Sequence, residues 1–194
     1  MGRGKNKAQI SESGMDLIYR QGFTATGIQQ IADAAGVPKG SFYNYFKSKD
    51  DFVIQAIEQY VADSSEFLEN KLVKASGSPV QRLEALYDTW IAGFSNGDGD
   101  KRGCLIGNLS QELANQNPTL RTALERAFKS TQSFYTRCLR EAQQAGELST
   151  DLDAEALAGF ITNAWQGALV RAKAAGNTAS LKEFKHVVFE HVLR

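Results

Sequence analysis

Lys39, Ser41, Tyr43, Asn44 and Tyr45 fall within seven consecutive residues, directly behind Gly36 and Pro38. This group is suited to a duplex. An ammonium meets a phosphate or a guanine edge, serine and asparagine offer hydrogen bonds to bases, and phenols reach phosphate oxygens. Gly40, lacking a side chain, lets the backbone approach. A second chemistry-bearing residue is Cys104, behind the Gly-, Asp- and Asn-rich stretch that runs from Ser95 to Gly103. At a helix start, unpaired amides, the helix dipole and the neighbouring Lys101 and Arg102 favour the thiolate, the reactive form of a cysteine. The two histidines, His186 and His191, have neither triad nor zinc spacing. Gly93-Phe94-Ser95-Asn96-Gly97 matches the letters of a nucleophile elbow, but a helical pattern precedes it where that motif requires a strand. The expectation is a protein that is not an enzyme and carries neither metal nor cofactor.

These residues need a scaffold, and the chain has the material for one. Its 194 residues are 42% hydrophobic, enough for a buried core in one or two domains. Acidic and basic residues balance at 22 each, yet residues 1–50 hold seven basic groups against four acidic ones, a net +3 that leaves −3 for the remainder. A basic end on an acidic body orients the molecule toward a polyanion. Two cysteines, a polar start and no apolar run of membrane length point to a reducing cytoplasm and no membrane partner.

Only three prolines interrupt the chain, and no segment alternates polar with β-branched residues, so an all-α fold is expected. A first helix with Ile10, Leu17 and Ile18 stops at Gly22. A short second helix spans Gly27 to Ala35, with Thr26 as its cap, and Gly36 ends it. A third starts at Pro38 and reaches Tyr45. Two short helices joined at Gly36 make a helix-turn-helix. Ser48 and Asp51 head a long fourth helix linking two domains. Further helices are expected from Ser78-Pro79 through Phe94, Cys104 to Asn115, Pro118 to Gly146, Asp153 to Ala175, and Ser180 to the end.

The run Thr26-Gly27-Ile28, Ile31-Ala32, Ala34-Ala35-Gly36-Val37-Pro38-Lys39-Gly40-Ser41-Phe42-Tyr43-Asn44-Tyr45-Phe46 and Ser48-Lys49 closely resembles the signature of the TetR/AcrR family of transcriptional regulators. The resemblance implies an N-terminal three-helix DNA-binding domain, drawn over residues 1–48, and a C-terminal helical bundle for ligand binding and dimerisation over 49–194. It implies that Thr26, Tyr43 and Lys49 hold phosphates, that Lys39, Gly40, Ser41 and Asn44 face the major groove, and that Phe42 and Phe46 pack inward. The partners it implies are operator double-stranded DNA, a small-molecule inducer and a second copy of the chain.

The segment Arg102 to Glu112 resembles the corresponding stretch in the branch of this family that answers reactive electrophiles or acrylate-type compounds. That resemblance makes Cys104 the candidate sensor and Lys173 its candidate partner; a small buried cysteine is the other reading. Tyr87, Trp90, Phe94 and Trp165 line either a ligand cavity or plain core. Leu157, Phe160, Ile161, Ala164 and Ala168, with Phe184, Val188 and Val192, carry helical periodicity that fits a four-helix dimer interface and equally the core of one protomer. The function expected is a repressor released from a palindromic operator by an inducer. The alternative is a helical ligand-binding or catalytic module without specific DNA binding, which predicts weak, salt-insensitive association with DNA.

Overall fold

The computed structural model describes residues 3–95 and 103–194, with side chains from Lys7 onward in the first segment. Lys101, Arg102 and most of the Gly-, Asp- and Asn-rich stretch between Ser95 and Gly103 lie outside the described residues. Among the described residues every regular element is helical: α1 (Arg3–Gln21), α2 (Ile28–Ala34), α3 (Lys39–Tyr43), α4 (Lys49–Leu68), α5 (Pro79–Ser95), α6 (Leu105–Leu113), α7 (Pro118–Gln144), α8 (Ala154–Ala175) and α9 (Ala179–Val187). Wider π-type turns, Glu69–Val73 and Val188–Val192, extend α4 and α9. The chain forms two compact units, Met1–Tyr60 with Leu105–Ala127, and Val61–Cys104 with Phe128–Arg194.

In the first unit the apolar faces of α1, α2 and α3 close on the start of α4. Ile10, Ile31, Ala32, Phe42, Phe52 and Val53 are fully buried. Phe42, Phe46 and Phe52 form a three-ring cluster with centroids 5.0–5.8 Å apart. Truncating a buried phenylalanine such as Phe42 to alanine typically costs about 3–5 kcal/mol, so this cluster fixes where α3 sits. Gly14 marks the closest approach: a Cβ there would lie 2.6 Å from Phe52 Cζ and 2.8 Å from Ile31 Cγ2.

Helix boundaries follow local chemistry. The helix-turn-helix bend is a Gly36 in the left-handed region (φ +64°), with Val37 N donating to Ala32 O and Gly36 N to Asp33 O. The α4 start is doubly capped, since Asp51 N donates to Ser48 Oγ while Asp51 Oδ2 accepts from Lys47 N. The expected cap of α2 is corrected. Gly27, not Thr26, occupies the cap position, and Gln30 reaches back to accept from Gly27 N at 2.7 Å.

The first unit is not confined to the N-terminal segment expected at residues 1–48. Helix α6 and the beginning of α7 pack with it, because Glu112 accepts from the amides of Phe23 and Thr24, and Asn117 Nδ2 donates to Asp50 Oδ2 at 2.7 Å.

In the second unit α5, the end of α7, α8 and α9 surround a core that includes Leu83, Leu86, Tyr87, Tyr135, Ile161 and Leu181. Asp153 caps α8 by accepting from Ala156 N, and Gly176 (φ +67°) ends it, so that α9 returns against α8 with Ser180 Oγ donating to Ala168 O.

Candidate functional site

Helix α3 divides its residues sharply. Phe42 is fully buried, whereas Tyr43 is 52% exposed, and Lys39, Gly40 and Asn44 are also exposed. Ser41 and Tyr45 are half-buried. The bulky anchor thus lies beneath a surface of one ammonium, one amide, one phenol and one glycine with no atom within 4 Å of a built Cβ. An outward face of donors around a gap admits a groove edge.

Two residues expected at the DNA surface do different work here. Thr26 is fully buried, and its hydroxyl donates to Gly22 O at 2.6 Å. Lys49 lies half-buried over the Phe23 ring at 4.1 Å, and its Nζ donates to Phe23 O at 2.9 Å and Thr26 O at 2.8 Å. Both therefore hold the loop between α1 and α2 rather than projecting toward a ligand. Gln21 reinforces the same loop by donating to Ala25 O and Thr26 Oγ1.

Glu112, for which no spacing pattern suggests a role, closes this loop from the other side. Its carboxylate accepts from Phe23 N at 2.9 Å and Thr24 N at 2.6 Å. Burial pushes its carboxyl up, but the two amides and the Lys49 charge outweigh burial and hold it below the ordinary glutamate value. The partners are 88 and 89 residues apart in the chain, beyond any local spacing pattern.

In the second unit, the aromatic group expected to line a cavity is mutually packed. Tyr87 sits against Trp90 (5.3 Å between centroids) and Trp165 (4.9 Å), and Trp90 stacks on Trp165 at 5.7 Å. Tyr87, Phe94 and Trp165 are buried, and Trp90 is half-buried. Two grooves in this unit are lined by other residues: one of about 770 Å³ by Lys129, Gln132, Arg137 and Arg140 among others, and one of about 320 Å³ by Asp88, Lys185, His186 and Phe189 among others. Plain core is the reading that fits this aromatic group. The Tyr87 hydroxyl is buried beside that of Tyr135. Burial pushes the phenols of Tyr87 and Tyr135 up, and both stay neutral.

Cys104 is half-buried immediately before α6. Lys173 is exposed in the last turn of α8. Cys138 is a packed residue: its Sγ donates to Pro79 O at 3.2 Å, and burial pushes its thiol up to about 11.

Most of the expected dimer set is likewise core. Leu157, Ile161, Ala168, Phe184 and Val188 are buried within the second unit, and Ala164 and Val192 are half-buried against it. Phe160 alone of that set is open, at 51% exposure. The sequence pattern identified the apolar stripe of α8 and α9 correctly but could not say which helix they face; they face each other and α5.

Residues 10–56 match the bacterial regulatory proteins of the tetR family, and residues 79–188 match the tetracyclin repressor-like C-terminal domain. The chain belongs to the TetR family. Among its relatives is the HTH-type transcriptional repressor DhaR of Mycobacterium sp. (strain GP1), 36% identical over 193 residues, covering 100% of this chain and 95% of that protein. The transcriptional regulator AcuR of Cereibacter sphaeroides is 35% identical over 182 residues, covering 94% and 83%. The crystal structure of reduced Escherichia coli NemR superposes with a TM-score of 0.88 at 26% identity, covering 94% of each chain. The helix-turn-helix of α2 and α3 is thus the family's DNA-binding element, placed in a TetR chain at the position its pattern indicated.

Proposed function

We propose that this TetR-family protein is a homodimeric repressor that binds a palindromic operator and releases it when a small molecule binds or modifies its C-terminal portion. The observation that carries the reading is the split of α3, where buried Phe42 anchors the helix and Lys39, Gly40, Tyr43 and Asn44 remain exposed. Ser41 and Tyr45 flank this surface. Lys39, Gly40, Ser41 and Asn44 read base edges, while Tyr43 and Tyr45 reach phosphates. DhaR and NemR are both described as repressors, which supports repression over activation.

Dimerisation is assigned to the outer face of α8 and α9, where Phe160, Val170 and Val187 are exposed apolar residues of the protomer. A two-fold axis there sets two reading heads about 34 Å apart, one turn of duplex. In this reading the head and the effector domain keep the division proposed near residue 48, and the protein works in the cytoplasm beside the chromosome. No helix among the described residues is long and apolar enough to cross a membrane.

The inducer assigned here is an electrophile that adds to the Cys104 thiolate, with Lys173 as the candidate partner of that sulfur. Cys104 is half-buried at the start of α6, where the helix dipole favours negative charge, and a relative's structure is described as its reduced form. A ligand or adduct shifts the operator equilibrium only through its different affinity for the binding and non-binding arrangements. The test is a gel shift of the protein on its selected operator, with and without N-ethylmaleimide, for wild type and Cys104→Ser. Release that requires Cys104 supports the electrophile reading. Release of both proteins, or of neither, overturns that sensor while leaving the repressor intact.

A further inference from the structure

We propose that Glu112 is a positioning residue for operator reading: from the last turn of α6 it holds the loop between α1 and α2 in the conformation that presents the helix-turn-helix to DNA. The inference rests on the operator-binding reading and extends it to a residue far from the helix-turn-helix in sequence.

The geometry is a two-sided clamp. On one side the Glu112 carboxylate accepts both the Phe23 and Thr24 amides, at 2.9 and 2.6 Å. On the other side Lys49, at the start of α4, donates to the carbonyls of Phe23 and Thr26. The donors face the anion and the acceptors face the cation, so the charges act on opposite edges of one short stretch of backbone. The loop passes close to the carboxylate: at Gly22, in the left-handed region with φ +85°, an added Cβ would lie 3.2 Å from Glu112 Oε2. Without Glu112, the Phe23 and Thr24 amides have no partner among the hydrogen bonds described, and the loop loses the constraint on its amide edge.

What the clamp sets is the entry into α2. Thr26 N donates to Phe23 O, the Thr26 hydroxyl to Gly22 O, and the chain then passes through Gly27 into the first turn of α2. Since α2 packs against α1 and α3, the tilt of α3 depends on that entry. A second tie four residues beyond α6 acts in the same sense, as Asn117 Nδ2 donates to Asp50 Oδ2 beside Lys49. The corner between α6 and α7 is therefore tied to the reading head. Helix α6 begins one residue after Cys104 in the chain, so a displacement of α6 reaches the loop through Glu112.

The clamp acts on alignment and makes no contact with phosphate. Its removal should lower affinity for the specific operator while leaving charge-driven binding to unrelated duplex unchanged, because that binding depends on cations alone. The test uses the full-length protein as wild type, Glu112→Ala and Glu112→Gln. It reads operator affinity, affinity for an unrelated duplex of equal length, and hydrogen exchange at the Phe23 and Thr24 amides. Glu112→Gln keeps the shape of the side chain with a single acceptor oxygen, and serves if the alanine variant folds poorly. The expected result is faster exchange at those two amides and a loss of operator affinity of about tenfold, with the unrelated duplex unaffected. Equal tightening on both duplexes would mean that Glu112 acts by repelling phosphate, and would overturn the proposal. Unchanged exchange and unchanged operator affinity would also overturn it. If the wild type selects no operator, the repressor reading fails by itself, and exchange at Phe23 and Thr24 still decides whether Glu112 holds the loop.

Discussion

Replacing Lys49 with methionine separates two roles that this residue can play, and the structure supplies the magnitudes. Met keeps the unbranched stem over Phe23 and removes the charge with its two hydrogen bonds to Phe23 O and Thr26 O. Hydrogen bonds from a charged donor contribute roughly 1.5–3 kcal/mol each when well formed, and the cation over an aromatic ring adds about 0.5–1 kcal/mol. Because the ammonium is only half-buried and Met retains contact with the ring, the net loss should be about 2 kcal/mol. That energy belongs to the loop, so it appears as local opening rather than global unfolding. Amide exchange across residues 23–26 should accelerate about 30-fold, the equivalent of 2 kcal/mol. Operator affinity should fall, but the slope of log affinity against log salt should be preserved, because no phosphate partner has been removed. If Lys49 instead spends its charge on a phosphate, the slope flattens by about 0.9 and exchange at the loop stays as in wild type. That pair of results would refute the loop-holding role.

Three further outcomes are expected. Gly40→Ala, with open space around the built Cβ, should leave thermal stability unchanged or slightly raised while weakening operator binding in a gel shift, whereas Gly36→Ala should destabilise the head by about 1–2 kcal/mol because φ +64° disfavours a side chain. Phe160→Arg should shift sedimentation from dimer to monomer with little change in protomer helicity, whereas Leu157→Ala should lower the melting temperature, since Leu157 is buried in the protomer itself. Glu112 and Asp51 have folded-state carboxyls held below their ordinary values, so their contribution is present above the unfolded-state values near 4.5 and 3.8 and is lost as pH falls through the lowered ones. Protection of the amides at residues 22–26 and 47–51, taken relative to intrinsic exchange at each pH, should therefore fall on acidification below about pH 4.5 and recover on return to neutrality.

The helices and the helix-turn-helix were legible because their signals are local. Gly22 and Gly36 terminate α1 and α2 through left-handed backbone, Ser48 with Asp51 caps α4, and Asp153 caps α8, all within a few residues of one another. The family resemblance also implied Phe42 and Phe46 as inward residues, and both are buried. What stayed hidden depends on distant neighbours. Thr26 and Lys49 have the chemistry of phosphate ligands, and only the folded loop shows that carbonyls at Gly22, Phe23 and Thr26 take their hydrogen bonds first. Leu157, Ile161 and Phe184 show an apolar stripe without saying whether its partner is another helix of the same protomer or of a second one. Tyr87, Trp90 and Trp165 carry the same ambiguity between cavity and core, and their mutual ring contacts become visible only in the fold. Glu112 is the clearest case, because a glutamate on a short amphipathic helix has no sequence feature that names two amides in a remote loop as its partners.

Every role assigned above depends on sequence-specific recognition of DNA by paired copies of α3. Its most direct measurement is selection of bound sequences from a random duplex library by the full-length protein, followed by affinity measurements over a range of salt. The expected result is enrichment of a palindrome whose half-sites lie about 10 base pairs apart, with affinity falling steeply as salt rises. Recovery of no enriched sequence, with weak binding indifferent to salt, would contradict it.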